Sequence, residues 1–108
     1  MKRVLMALTA AAGCALATGL QAADSKPGEE LASKNACMAC HSIDKKLVGP
    51  GFKDIAAKYR GQSDAGAMLR DRIKKGSVGT WGQIPMPPNG QVGDEDIKTL
   101  VDWILAIE

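Results

Sequence analysis

The stretch Cys37-Met38-Ala39-Cys40-His41 decides how the rest of the chain reads. On a helix, positions 37, 40 and 41 are i, i+3 and i+4, so two thiols and one imidazole project from one face. Four uses of such a pentapeptide compete: a thiol redox pair, half of a zinc site, a structural disulfide, and covalent attachment of a haem. Zinc needs a second ligand pair, and once Cys14 is set aside no other Cys or His remains to supply one. A thioredoxin-like pair sits against a βαβ sheet, and no strand pattern surrounds this motif. Haem attachment uses all three side chains. The sulfurs add to two vinyl groups along one porphyrin edge, and His41 supplies a nitrogen to the iron.

His41 is the only histidine, so the second axial position falls to another side chain. The candidate is Met86 in Ile84-Pro85-Met86-Pro87-Pro88. A thioether is soft and favours ferrous iron, which raises the potential relative to a second histidine and suits an electron carrier. The flanking prolines fix φ and keep the loop stiff. A lone methionine more commonly fills a gap in a core. Met68 reads that way from its helical spacing, whereas Met38 is expected beside the haem edge.

Outward from the motif, the pattern is helical. Lys26 to His41 opens with Pro27, Glu29 and Glu30, and a helix is expected over about 27–40. Phe52, Ile55, Ala56 and Tyr59 form one apolar face of a short helix that Gly61 ends. Ser63 or Asp64 can cap a third helix carrying Met68, Leu69 and Ile73, which runs through Lys74 and Lys75 to Gly76. Asp94, Glu95 and Asp96 open the last, with Ile97, Leu100, Val101, Ile104 and Leu105 as its stripe. The glycine- and proline-rich segment 76–93 has neither helical face nor strand alternation, and a loop that long in a small domain is functional or wraps something. The expected fold is all-α, about four helices wrapped around one covalently bound haem.

A chain of 108 residues is one domain, and 45% hydrophobic with 24% charged residues excludes collagen-like, low-complexity and wholly disordered classes. Aromatics are 4%, a thin supply for a core of side chains alone. Fourteen basic against twelve acidic residues, a formal +2, gives no field suited to nucleic acid. Residues 1–23 have a positive start at Lys2 and Arg3, an apolar run from Val4 to about Ala17, and small residues at the end. That is a secretory signal peptide, with cleavage expected after Ala22 or Ala23. An uncleaved anchor is disfavoured by Gly13, Gly19 and the abundance of alanine. Lipidation of Cys14 is disfavoured by Ala11 and by apolar sequence that continues past it. Without the segment, the domain at 24–108 is formally neutral, has no membrane span, and keeps Cys37 and Cys40 in an exported, oxidising compartment.

The sequence resembles the class I c-type cytochromes, in particular the small bacterial cytochrome c-551/c-552 group. The matching stretches are CMACH at 37–41, LVGPGFKDIAAKY at 47–59, RIKKGSVGTWGQIPMPPN at 72–89 and the C-terminal DWILAIE. The resemblance implies a monomeric periplasmic protein that carries single electrons to a terminal reductase, such as nitrite reductase, or to an oxidase or peroxidase. Such a protein catalyses nothing alone. It implies that the Pro50 carbonyl accepts a hydrogen bond from His41 Nδ1. It also implies that Arg72 and Trp81 donate to a haem propionate, and that Asn89 bonds the Met86 sulfur or steadies its loop. A turn proline, a solvated arginine, a packing tryptophan and a plain Asn-Gly turn are the alternatives. Ala32 departs from the pattern, because relatives often place there an aromatic that packs the first helix on the last. The haem edge is expected near Met38, Leu47, Val48, Ile84 and Pro85, where redox partners dock transiently. Lys34, Lys45, Lys46 and Lys53 either ring that edge for an acidic partner or serve only solubility.

Overall fold

Pro27 has no amide hydrogen to lose at a helix start, and Glu29 complements the positive end of the helix dipole, so α1 (Lys26–Lys34) begins where the sequence places it. The computed structural model describes residues 26–108 and, upstream of them, Gly13 alone. The signal segment and its cleavage point after Ala22 or Ala23 lie outside the described residues. α2 (Phe52–Tyr59), α3 (Ala65–Lys75) and α4 (Asp94–Leu105) follow. No helix among the described residues is long and apolar enough to cross a membrane.

The apolar faces meet in one core. Phe52, Ile55 and Tyr59 of α2, Leu69 of α3, and Ile97, Leu100, Val101, Trp103 and Ile104 of α4 are buried together. Each aliphatic side chain fully removed from water contributes roughly 1.5–3 kcal/mol before conformational entropy is counted. α1 reaches this core through small residues. Ala32 is fully buried, and a side chain at Gly28 would fall on Trp103. The aromatic missing at position 32 therefore does not loosen the crossing, because Trp103 supplies the bulk from the other helix. Lys74 ties α3 to the start of α4 by an ion pair with Asp94 (2.6 Å), which holds that carboxyl below the usual range.

Three local expectations change. The first helix does not run to residue 40. It stops at Lys34, where Asn35 gives both its amide (3.0 Å) and its side-chain Nδ2 (2.9 Å) to the Leu31 carbonyl. Ala36 then turns left-handed (φ 61°), and Cys37–Ala39 form a separate 3₁₀ turn. Asp64 stands at the N-cap of α3 without a side-chain cap bond. Segment 76–93 is pinned by one antiparallel bridge, between Ser77 and Met86.

Ala36 is the only non-glycine residue with positive φ among the described residues. A Cβ costs about 1–2 kcal/mol in that conformation, and glycine returns part of this through its freer unfolded chain. Ala36→Gly is expected to stabilise the haem-loaded protein by about 0.5–1 kcal/mol, a Tm rise of a few degrees. A thermal melt that falls on this substitution would show that residue 36 carries no strain.

Candidate functional site

The pentapeptide folds as a single tight turn. Cys40 N and His41 N both donate to Cys37 O, at 3.2 and 2.9 Å, so the i, i+3, i+4 relation survives locally although the long helix does not. The two thiols are half-buried and are not joined to each other. Cys37 Sγ lies 3.9 Å from Asn35 O, and burial pushes the Cys37 thiol above its ordinary value. A thiol raised in this way is protonated at neutral pH, the opposite of what exchange chemistry requires. Among the described residues, no group of three or more His, Cys, Asp or Glu comes together to hold a metal ion, so the zinc reading has no support.

His41 is buried and held from three sides. Its Nδ1 lies 2.7 Å from Pro50 O. A carbonyl only accepts, so Nδ1 carries the hydrogen and Nε2 keeps its lone pair. The Phe52 ring stacks on the imidazole at 5.0 Å with a 20° tilt, and Trp103 meets Phe52 edge-on at 5.3 Å. Gly49 closes the third side. A Cβ there would sit 2.6 Å from His41 Cε1 and 3.0 Å from Nδ1. The loop is drawn in by Gly49 N donating to Cys40 O (2.8 Å) and Phe52 N to Ser42 O (2.9 Å).

Cys40, His41, Pro50, Arg72, Trp81 and Met86 line a single cavity of about 250 Å³. Leu47, Val48, Val78 and Ile84 add apolar walls that are 51–65% exposed. Exposed aliphatic side chains gathered around one cavity fit a large apolar prosthetic group. The donor set fits as well: an imidazole with one nitrogen already committed, a thioether, and two thiols on the adjoining turn. Met86 is placed by its backbone. In Pro85-Met86-Pro87-Pro88 its amide is the one N–H, and it donates to Ser77 O at 2.7 Å while Ser77 N returns a bond to Met86 O at 3.1 Å. Gly76 makes this pairing possible, since a Cβ there would lie 2.7 Å from Met86 O.

The remaining site residues divide. Arg72 Nη1 donates to Tyr59 Oη at 2.8 Å, which spends one of its five donors and aims the guanidinium. Trp81 stands partly exposed at the cavity wall. Asn89 is not among the lining residues. Its Nδ2 donates to Pro87 O (3.1 Å) and its amide to Ile73 O (2.9 Å), so it fastens the methionine loop to α3. Met38 packs half-buried against the core instead of lining the cavity, and of the four lysines only Lys46 lines it. Gly49, Phe52, Ser77 and Tyr59 support the site yet carry no signal of that in a single sequence. A glycine three residues before a helix reads as a turn, and Phe52 and Tyr59 read as core.

Residues 25–108 match the family model for cytochrome c. The chain is 52% identical over 100 residues to cytochrome c-552 of Nitrosomonas europaea, with 93% of each chain covered. It is 48% identical over 106 residues to cytochrome c-551 of Pseudomonas aeruginosa, with 98% of each covered. The crystal structure of wild-type Nitrosomonas europaea cytochrome c552 superposes with a TM-score of 0.72 at 56% identity, covering 74% of this chain and 99% of that one. With a Cys-X-X-Cys-His turn, an all-α frame and relatives of this kind, the chain belongs to the cytochrome c family, as a small class I electron-transfer protein that carries one haem c covalently on Cys37 and Cys40.

Proposed function

We propose that the protein is an exported, periplasmic monohaem carrier whose iron is held by His41 and Met86, and that it passes single electrons to a terminal reductase, oxidase or peroxidase. The observation that carries this reading is that a tautomer-fixed histidine and a backbone-clamped methionine line the same cavity. When bound, the haem supplies a one-electron couple.

The protein's own residues set the conditions for that couple. Pro50 O holds the His41 ring and raises its basicity. The Ser77 bridge clamps the Met86 backbone, and a clamped ligand backbone would limit rearrangement on electron transfer. Arg72, aimed by Tyr59, and Trp81 are the donors proposed for a propionate. Asn89 acts on the stiffness of the loop. Leu47, Val48, Ile84 and Pro85 form an exposed apolar rim for brief docking of one copy on a redox partner, and Lys46 at that rim favours an acidic one. The proposed signal peptide at 1–23, cleaved after Ala22 or Ala23, delivers the chain to the periplasm.

The visible spectrum of the exported protein, oxidised and then reduced, tests the assignment. A sharp c-type reduced spectrum with a weak long-wavelength sulfur-to-iron band in the oxidised form is expected. A c-type haem without that band would remove Met86 from the iron and move the reading to a ligand-binding or peroxidase-like haem.

A further inference from the structure

The segment from Ser77 to Met86 closes one side of the cavity and is tied down at its base by the Ser77–Met86 bridge. Towards the tip, Gly79 N donates to Gly82 O at 3.0 Å, which closes the loop on itself. Among the described residues, no hydrogen bond joins positions 78–85 to any other element. The tip carries Trp81 between Gly79 (φ 98°) and Gly82 (φ 129°), so the backbone on either side has the freedom that only glycine gives. One side chain reaches across to it. Lys58, on the exposed side of α2, places Nζ 5.6 Å from the centre of the Trp81 ring and 5.9 Å from that of Tyr59. Lys58 has no carboxylate partner among the described residues. Tyr59 in turn holds Arg72 through its hydroxyl.

We propose that Lys58 is a positioning residue: its ammonium, lying over the Trp81 indole, latches the tip of the 77–86 loop to α2 and so holds Trp81 and Met86 at the haem. Tryptophan presents the strongest π face to a cation, and the contact is effective within about 6 Å of the ring centre. The inference rests on the assignment of Met86 to the iron. The latch acts on the lifetime of the closed loop, because the base bridge persists when the tip lifts.

The test uses ferric holoprotein with Lys58→Met and Lys58→Arg, each also combined with Trp81→Leu. Two quantities are read: the rate at which cyanide displaces the protein ligand, and the hydrogen exchange rate of the Trp81 indole N–H by NMR. Lys58→Met is expected to raise both by about two- to five-fold, the size of an exposed cation–π contact. Lys58→Arg keeps the cation and is expected to restore both. In the Trp81→Leu background, Lys58→Met is expected to add nothing to the cyanide rate. Unchanged rates in Lys58→Met overturn the latch, as does a Lys58→Met effect that persists in full without Trp81, which would mean that the charge acts directly on the cavity. An absent sulfur-to-iron band in the wild type marks failure of the Met86 assignment instead, and the indole exchange then decides the latch alone.

Discussion

Met86→Ala holoprotein is expected to keep its haem on Cys37 and Cys40, to lose the long-wavelength sulfur-to-iron band, and to fall in reduction potential. The substitution touches only the side chain. An alanine at 86 retains the amide that bonds Ser77 O and the carbonyl that accepts from Ser77 N, so the loop keeps its base. With Met86 at the iron as proposed, what is lost is a soft donor that stabilises ferrous iron. Axial ligand identity commands a span of about 0.8 V in haem proteins, and replacing a thioether by water or hydroxide is expected to use a substantial fraction of it. The same change opens the iron, so the reduced variant is expected to bind carbon monoxide at neutral pH where the parent does not. Voltammetry and a carbon monoxide difference spectrum measure both effects. An unchanged potential would show that the thioether is not at the iron.

Gly49→Ala is expected to be strongly damaging at the histidine seat. A Cβ at 49 would stand 2.6 Å from Cε1 of His41, closer than a methyl group tolerates, and tight against Nδ1 (3.0 Å) and Nε2 (3.1 Å). The ring has nowhere to go, since Phe52 stacks on it and Pro50 O holds Nδ1. Either the loop or the imidazole moves, at an overpacking cost of about 1–3 kcal/mol. In a domain of this size that is a Tm loss of roughly 5–20 °C. If the imidazole moves, the Pro50 bond weakens, ligand basicity drops and the potential rises. Thermal melts of ferric holoprotein read the first effect and voltammetry the second. Gly90→Ala is the control, because a Cβ there meets nothing within 4 Å. It is expected to stay within about 0.5 kcal/mol of the parent. Equal melting points for the two variants would show that the His41 seat has slack.

The parts of this molecule that repeat along the chain are legible in its sequence, and those that depend on approach through space are not. Phe52, Ile55, Ala56 and Tyr59 announce α2, and Ile97, Leu100, Val101 and Ile104 announce α4, because a helix writes its buried face at a fixed spacing. The attachment motif is legible because its three reactive groups are local. The stop at Lys34 is not, since the helical pattern runs on through an alanine that gives no warning of a left-handed turn. Nor is the Ser77–Met86 pairing, where one isolated bridge leaves no alternation to read. The tightness at Gly49 and the reach of Lys58 to Trp81 belong to neighbours that only folding brings together.

The contact of Trp103 with Phe52, and of Phe52 with His41, joins the final helix to the His41 imidazole through two rings. A chain is made from its N-terminus, so the attachment turn emerges long before the ring that backs its histidine is anchored. The same Trp103 receives Gly28 of α1, so one late side chain locks both the first helix and the histidine's support. A copy truncated ahead of α4 would present the attachment turn with a loose imidazole and an uncovered core. Such a copy is expected to be cut faster by protease than the full-length molecule, because the surface that α4 fails to cover stays open.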